Sequence, residues 1–193
     1  MTLDILQSRE HGIEAQWARE RDEELIQKLR ERAKIEEISR VLARKLRADD
    51  PALRRRILHL GVTHDTGPAL FLLPLVQVAW ADGKVTDEER ETIMGLAAFR
   101  GVRPGSPVYA QVLEWFRTPP AQEFFDAALE VIRLGISVLP DEEREDRIAA
   151  YALSYRRVAE ASAGRLGAFF GLAGPVSPEA EAIIDRNTAT LRG

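Results

Sequence analysis

The chain has 193 residues, of which 45% are hydrophobic and 30% charged, and its net charge is −4. This length is enough for one sizeable domain plus an extension, the composition is ordinary for a soluble globular protein, and the mild acidity gives no reason to expect nucleic-acid binding. The sequence contains no cysteine, which excludes disulfides, thiolate metal ligands and a thiol nucleophile.

The sequence also carries no recognisable membrane or export signal. The first residues lack the basic start and long apolar core of a signal peptide. The longest apolar run, residues 68–81, is too short to span a bilayer. We therefore expect a cytoplasmic protein without a transmembrane segment, while a peripheral association with a membrane stays open.

The first predicted element is a long charged helix, which forms an arm over residues 1–48. Basic and acidic residues are densely mixed there, with 14 Lys and Arg against 12 Asp and Glu in residues 1–58. Residues 8–47 also carry a narrow apolar stripe at steps of mostly three or four residues. Such a stripe usually packs on a domain, on a partner helix or on a second copy. The predicted partner-binding residues are Leu25, Leu29, Ile38 and Leu42.

Residues 51–193 are predicted to form one all-α domain of about seven helices. Capping residues, glycines and prolines divide this region into helices, and no convincing alternating strand is present. Pro74 lies inside the most apolar of them and is expected either to kink it or to mark its true start. In chain order, the predicted helices cover residues 51–60, 68–82 and 87–100, then a helix from residue 107 that is broken at 119–120, a helix carrying Phe125 to Ile136, a helix capped by Asp141, and residues 178–191.

The stretch WADGKVTDEER follows the most apolar helix and looks like the second half of a calcium-binding EF-hand loop. With Gly83 at loop position 6, Asp82 falls at position 5 and Glu89 at position 12, as that loop requires. Positions 1 and 3, however, fall on Val78 and Trp80, whose side chains cannot ligate a hard cation. The stretch is therefore not an EF-hand.

Two interpretations of this acidic turn remain. In the first, Thr86 caps the next helix and Glu89 completes a capping box, while Asp87 lies favourably at the helix N-terminus. In the second, Asp82, Asp87 and Glu89 hold a divalent cation such as calcium, since clustered carboxylates repel one another unless a cation neutralises them.

The pattern around this turn is repeated weakly later in the chain. VAWADGKVTDEERETI has a counterpart in VAEASAG followed by PVSPEAEAII, which suggests two related helical hairpins. The stretch VQVAWADGKVTDEERETIMGLA resembles the hallmark of the tellurite-resistance TerB-like superfamily, whose turn reads A-D-G-x-[hydrophobic]-x-x-x-E. Residues 81–89 match that turn fully, and the resemblance extends over about residues 65–191.

The resemblance implies an all-helical bundle of two related hairpins. TerB-like modules are associated with stress-response systems, membrane-proximal complexes and proposed metal binding. If the metal binding carries over to this chain, the resemblance implies that Asp82, Glu89 and Asp87 are the ligands. The second hairpin departs from the family pattern, because Ala163 and Gly164 stand where an Asp-Gly pair is expected.

The sequence thus favours a non-enzymatic interaction module that binds a protein partner or a second copy through its arm. The alternative is a metal-dependent sensor or resistance protein that uses the acidic turn. We expect no enzymatic activity, because no nucleophile with a base and no convergent acid and base pair can be recognised.

Overall fold

The computed structural model describes residues 21–23, 25, 26, 29, 33, 51–63, 65–161 and 176–193. Within these ranges it consists of helices and turns and has no strand, so the predicted all-α fold class is confirmed. None of the described helices is long and apolar enough to cross a membrane. The helices of the body are α1 (Pro51–His59), α2 (Leu73–Ala79), α3 (Asp87–Phe99), α4 (Pro107–Arg117), α5 (Gln122–Ile136), α6 (Asp141–Ala161) and α7 (Pro178–Arg192), and a 3₁₀ helix covers Gly67–Phe71.

Side-chain caps fix the starts of three of these helices. The side-chain oxygens of Thr86, Ser106 and Ser177 each accept a hydrogen bond from the backbone N–H three residues later. Each of these residues has extended backbone angles, as a helix N-cap requires. The predicted starts of α3, α4 and α7 are therefore confirmed. The predicted cap at Asp141 is wrong, because Asp141 is itself the first residue of α6.

The apolar segment predicted as one helix is divided in two. The 3₁₀ helix ends where the Leu72 N–H donates to the carbonyl of Ala69 at 2.9 Å, and α2 begins at the next residue. Pro74 is the second residue of α2. A helix has no intrahelical partner for the N–H at that position, so the ring is tolerated there. Pro74 thus marks a true helix start and not a kink.

Helix α2 lies at the centre of the body. All of its residues are buried, and it contacts α3, α4, α5, α6 and α7. Its one polar side chain, Gln77, accepts a hydrogen bond at 3.0 Å from the amide nitrogen of Asn187 in α7. A helix that is apolar nearly all round is expected in a core, and the structure confirms that expectation.

Two helical pairs pack against each other around this centre. Helix α6 contacts α2, α3 and α7, and α2 also contacts α7. The pair formed by α2 and α3 therefore lies against the pair formed by α6 and α7. The predicted second turn, residues 162–175, lies outside the described residues. Helix α5 completes the body through contacts with α7, α2, α1 and the 3₁₀ helix.

Candidate functional site

The acidic turn, residues 81–89, joins α2 to α3. Gly83 has a φ of +80°, a left-handed backbone conformation that glycine adopts without a steric penalty. Its N–H donates to the Trp80 carbonyl at 2.9 Å and closes the turn. The indole N–H of Trp80 donates to the Trp115 carbonyl at 2.8 Å, which attaches the turn to α4. The start of the acidic turn is thus held by contacts to its own backbone and to a neighbouring helix.

The predicted capping box is present at the start of α3. The Glu89 Oε2 atom accepts from the Thr86 backbone N–H at 2.7 Å and from the Thr86 hydroxyl at 2.8 Å. The Thr86 oxygen in turn accepts from the Glu89 N–H at 3.3 Å. Glu89 is only 4% exposed. One oxygen of this carboxylate is therefore already used to satisfy the helix start.

The environment of the Glu89 carboxyl group raises its pKa above the ordinary value of 4.5. Burial is the main cause, because it disfavours the charged form. The hydrogen bonds from Thr86 oppose the rise, and the negative charges of Asp82 and Glu88 add to it. Asp82 and Glu88 are thus close enough to act on Glu89 electrostatically.

The three predicted metal ligands differ in their surroundings. Asp82 and Asp87 are exposed, whereas Glu89 is buried in the capping box. The Asp87 carboxylate lies 3.4 Å from the Arg90 guanidinium, one turn further along α3. The described part of the chain contains no group of three or more His, Cys, Asp or Glu side chains arranged to hold a metal ion. Glu89 is thus hydrogen-bonded to Thr86, and Asp87 is ion-paired with Arg90.

The predicted partner-binding stripe of the arm is described only in part. Leu25 and Leu29 belong to helical residues and are 55% and 53% exposed, and Ile26 between them is 46% exposed. Ile38 and Leu42 lie outside the described residues. Leu25 and Leu29 are four residues apart and therefore share one helix face. Together with Ile26, these leucines give the described part of the arm three apolar side chains that are about half exposed.

A cavity between the 3₁₀ helix, α3, α5 and α6 was not predicted from the sequence. Two arginines line it, Arg100 after the end of α3 and Arg147 in α6, together with the phenol ring of Tyr151. Arg147 and Tyr151 are four residues apart, so the sequence alone indicates that they share one face of a helix. No local pattern links them to Arg100, because only tertiary packing brings α3 onto α6.

The comparisons with known proteins give no relative for this chain. No protein-family model, no curated protein and no solved structure matches it. The TerB-like resemblance therefore depends on the turn motif at residues 81–89 and on the two related stretches of the sequence.

Proposed function

We propose that the protein is a non-enzymatic interaction module of the TerB-like kind, acting in a bacterial stress-response or membrane-proximal assembly. The Asp-Gly turn motif supports this proposal, as does the packing of the α2–α3 pair against the α6–α7 pair. In this proposal the acidic turn is a structural joint, since its buried carboxylate completes a capping box.

The observation that carries the proposal is the apolar face of the arm. Leu25, Ile26 and Leu29 are each about half exposed at helical positions, and the described residues just before them, 21–23, are charged and exposed. Complete burial of one such side chain stabilises by about 1.5–3 kcal/mol, so burying the exposed half of each contributes about 1 kcal/mol. A partner helix that covers this face gains that stabilisation at several positions along the stripe.

The partner helix is supplied by another protein or by a second copy of the chain. The second copy is favoured by the near balance of basic and acidic residues in the first 58 positions, because such a surface is complementary to itself. A chain of 21.6 kDa would then form a dimer of twice that mass.

Removal of the arm tests this proposal. Sedimentation velocity of the full chain should show association that increases with concentration, and a chain that begins at residue 51 should sediment as a monomer. Circular dichroism of the shortened chain must still show a folded helical body. Equal association of the two chains would contradict docking through the arm.

A second candidate function is a divalent-metal sensor or resistance protein. The acidic neighbours of Glu89 favour it. Burial is the main cause of the raised pKa of Glu89, but the charges of Asp82 and Glu88 add to it, and a cation would relieve their repulsion. Metal-stripped protein should then bind calcium in a calorimetric titration, and Asp82→Asn should abolish the binding. The exposed Asp185→Asn in α7 is the matched control. An absence of heat with calcium, magnesium, zinc and manganese would exclude this candidate.

A further inference from the structure

The lining of the cavity between α3, α5 and α6 includes two positively charged side chains. The volume of the cavity is about 40 Å³, and Arg100, Arg147 and Tyr151 form the polar part of its lining. No Asp or Glu is among its described lining residues. The two guanidinium charges oppose the burial-driven rise in the pKa of Tyr151, so both lie close to its phenol. Two guanidinium groups in the lining of one cavity favour an anion there.

One hydrogen-bonding atom in the polar part of the lining has no partner among the described residues. The Nη1 atom of Arg100 is buried and has no hydrogen-bond partner among the described residues. The guanidinium carbon of Arg100 lies 5.6 Å from the centre of the Tyr151 ring, which holds the charge over the aromatic face. The Tyr151 hydroxyl makes one long contact, 3.5 Å to the Phe71 carbonyl. A buried guanidinium nitrogen without a partner is costly, and an anion accepting from it would remove that cost.

The rest of the lining is apolar. It consists of the side chains of Phe71, Ile132, Ile136 and Ala150, and Ala150 lies at the exposed rim of the cavity. A volume of about 40 Å³ holds roughly three water-sized groups. Planar guanidinium groups bind both carboxylate and phosphate, but phosphate has no apolar part to contact the isoleucines. The size and the divided polarity together fit a carboxylate attached to a short alkyl group.

We propose that this cavity binds a small organic carboxylate of about two or three carbons. The carboxylate accepts hydrogen bonds from Arg100 and Arg147, and the alkyl group contacts Ile132 and Ile136. The site does not include the arm or the acidic turn, so it goes beyond the interaction function proposed above. A bound ligand would join the end of α3 to α5 and α6.

A titration of the isotope-labelled full chain by NMR tests this proposal, with propionate as the probe. We expect saturable chemical-shift changes for Ala150 and Tyr151. Propionamide has the same shape without the charge, and inorganic phosphate has the charge without the alkyl group. Both should bind at least about tenfold more weakly than propionate. Binding of propionamide or phosphate as tight as that of propionate would overturn the proposal, as would the absence of saturation with propionate.

Two variants locate the site within the chain. Arg100→Gln should weaken propionate binding by about tenfold or more, because it removes a charge-assisted pair. Ala150→Leu keeps both arginines and narrows the rim, so it should weaken binding while the exposed position leaves folding intact. Arg117→Gln, an exposed arginine in α4, is the matched control and should bind as the natural chain does. Unchanged propionate binding by Arg100→Gln or by folded Ala150→Leu would overturn the proposal.

Discussion

The hydrogen bond between Gln77 and Asn187 provides the most direct test of how the helices pack. It joins α2 to α7 across 110 residues of sequence, and the two side chains are 4% and 0% exposed. Gln77→Met keeps the length of the side chain but leaves the buried amide nitrogen of Asn187 without its acceptor. Loss of a partner from a buried polar group costs about 1–3 kcal/mol. For a chain of this size that cost lowers the melting temperature by about 2–4 °C per kcal/mol.

A double-mutant cycle isolates this bond from other effects. Asn187→Ala orphans the Gln77 oxygen and leaves a small cavity, whereas the double variant has only the cavity. The double variant should therefore be less destabilised than the sum of the single variants, by about 1–3 kcal/mol. The Asn187 Oδ1 atom, buried without a partner among the described residues, is removed in both Asn187→Ala chains and cancels.

Urea unfolding followed by circular dichroism measures all four chains of the cycle. Gln122→Met is the control, because Gln122 makes its 2.8 Å bond to Asp126 on the exposed surface of α5. Its effect should stay within about 0.5 kcal/mol. If the effects of Gln77→Met and Asn187→Ala add within about 0.5 kcal/mol, the two amides are not paired and the described packing of α7 on α2 is wrong.

Three further predictions concern the acidic turn. Thr86→Ala should lower the free energy of unfolding, measured with urea, by about 1 kcal/mol, because the helix loses its capping oxygen. Thr86→Ser keeps that oxygen and should be destabilised much less, so equal losses for the two variants would contradict the cap. Gly83→Ala should lower the free energy of unfolding by about 1–2 kcal/mol in the same assay, because Gly83 has a φ of +80°, which alanine adopts only with strain. No atom lies within 4 Å of the added Cβ, so backbone strain is the only expected cost, and a neutral effect would exclude it. The raised pKa of Glu89 means that the folded chain binds this proton more tightly than the unfolded chain, so stability should fall as the pH rises from about 4.5 through the folded pKa. The Glu89→Gln side chain cannot ionise, so the free energy of unfolding of this variant, relative to that of the natural chain, should rise over the same pH window. Urea unfolding at a series of pH values measures this difference, and a difference that does not change with pH would contradict the raised pKa.

The features that the sequence predicted correctly are those that depend on neighbouring residues. The caps at Thr86, Ser106 and Ser177 involve contacts over three residues, so their chemistry is visible in a short stretch. Pro74 also acts locally, through its missing N–H. The buried position of α2 follows from its apolar composition alone. Local chemistry therefore accounts for the helix starts and for the central helix.

The features that the sequence did not predict depend on distant residues. Gln77 and Asn187 are each unremarkable polar residues until packing brings α2 against α7. The same is true of Arg100, whose guanidinium reaches Tyr151 only because α3 packs on α6. The acidic turn lay between these cases. The sequence proposed both a cap and a cation site, and the structure supplies the cap while the cation site remains a proposal.

The most direct test of the proposed function is sedimentation equilibrium of the full chain with changes confined to the arm. Leu25→Ser with Leu29→Ser removes both leucines of the exposed apolar face without shortening the helix. Glu23→Ser, at a described exposed position that is not three or four residues from either leucine, is the matched control. The account predicts a dimer, about twice 21.6 kDa, for the natural chain and for Glu23→Ser, and a monomer for the double serine variant. The same mass for the natural chain and the double serine variant would contradict association through Leu25 and Leu29.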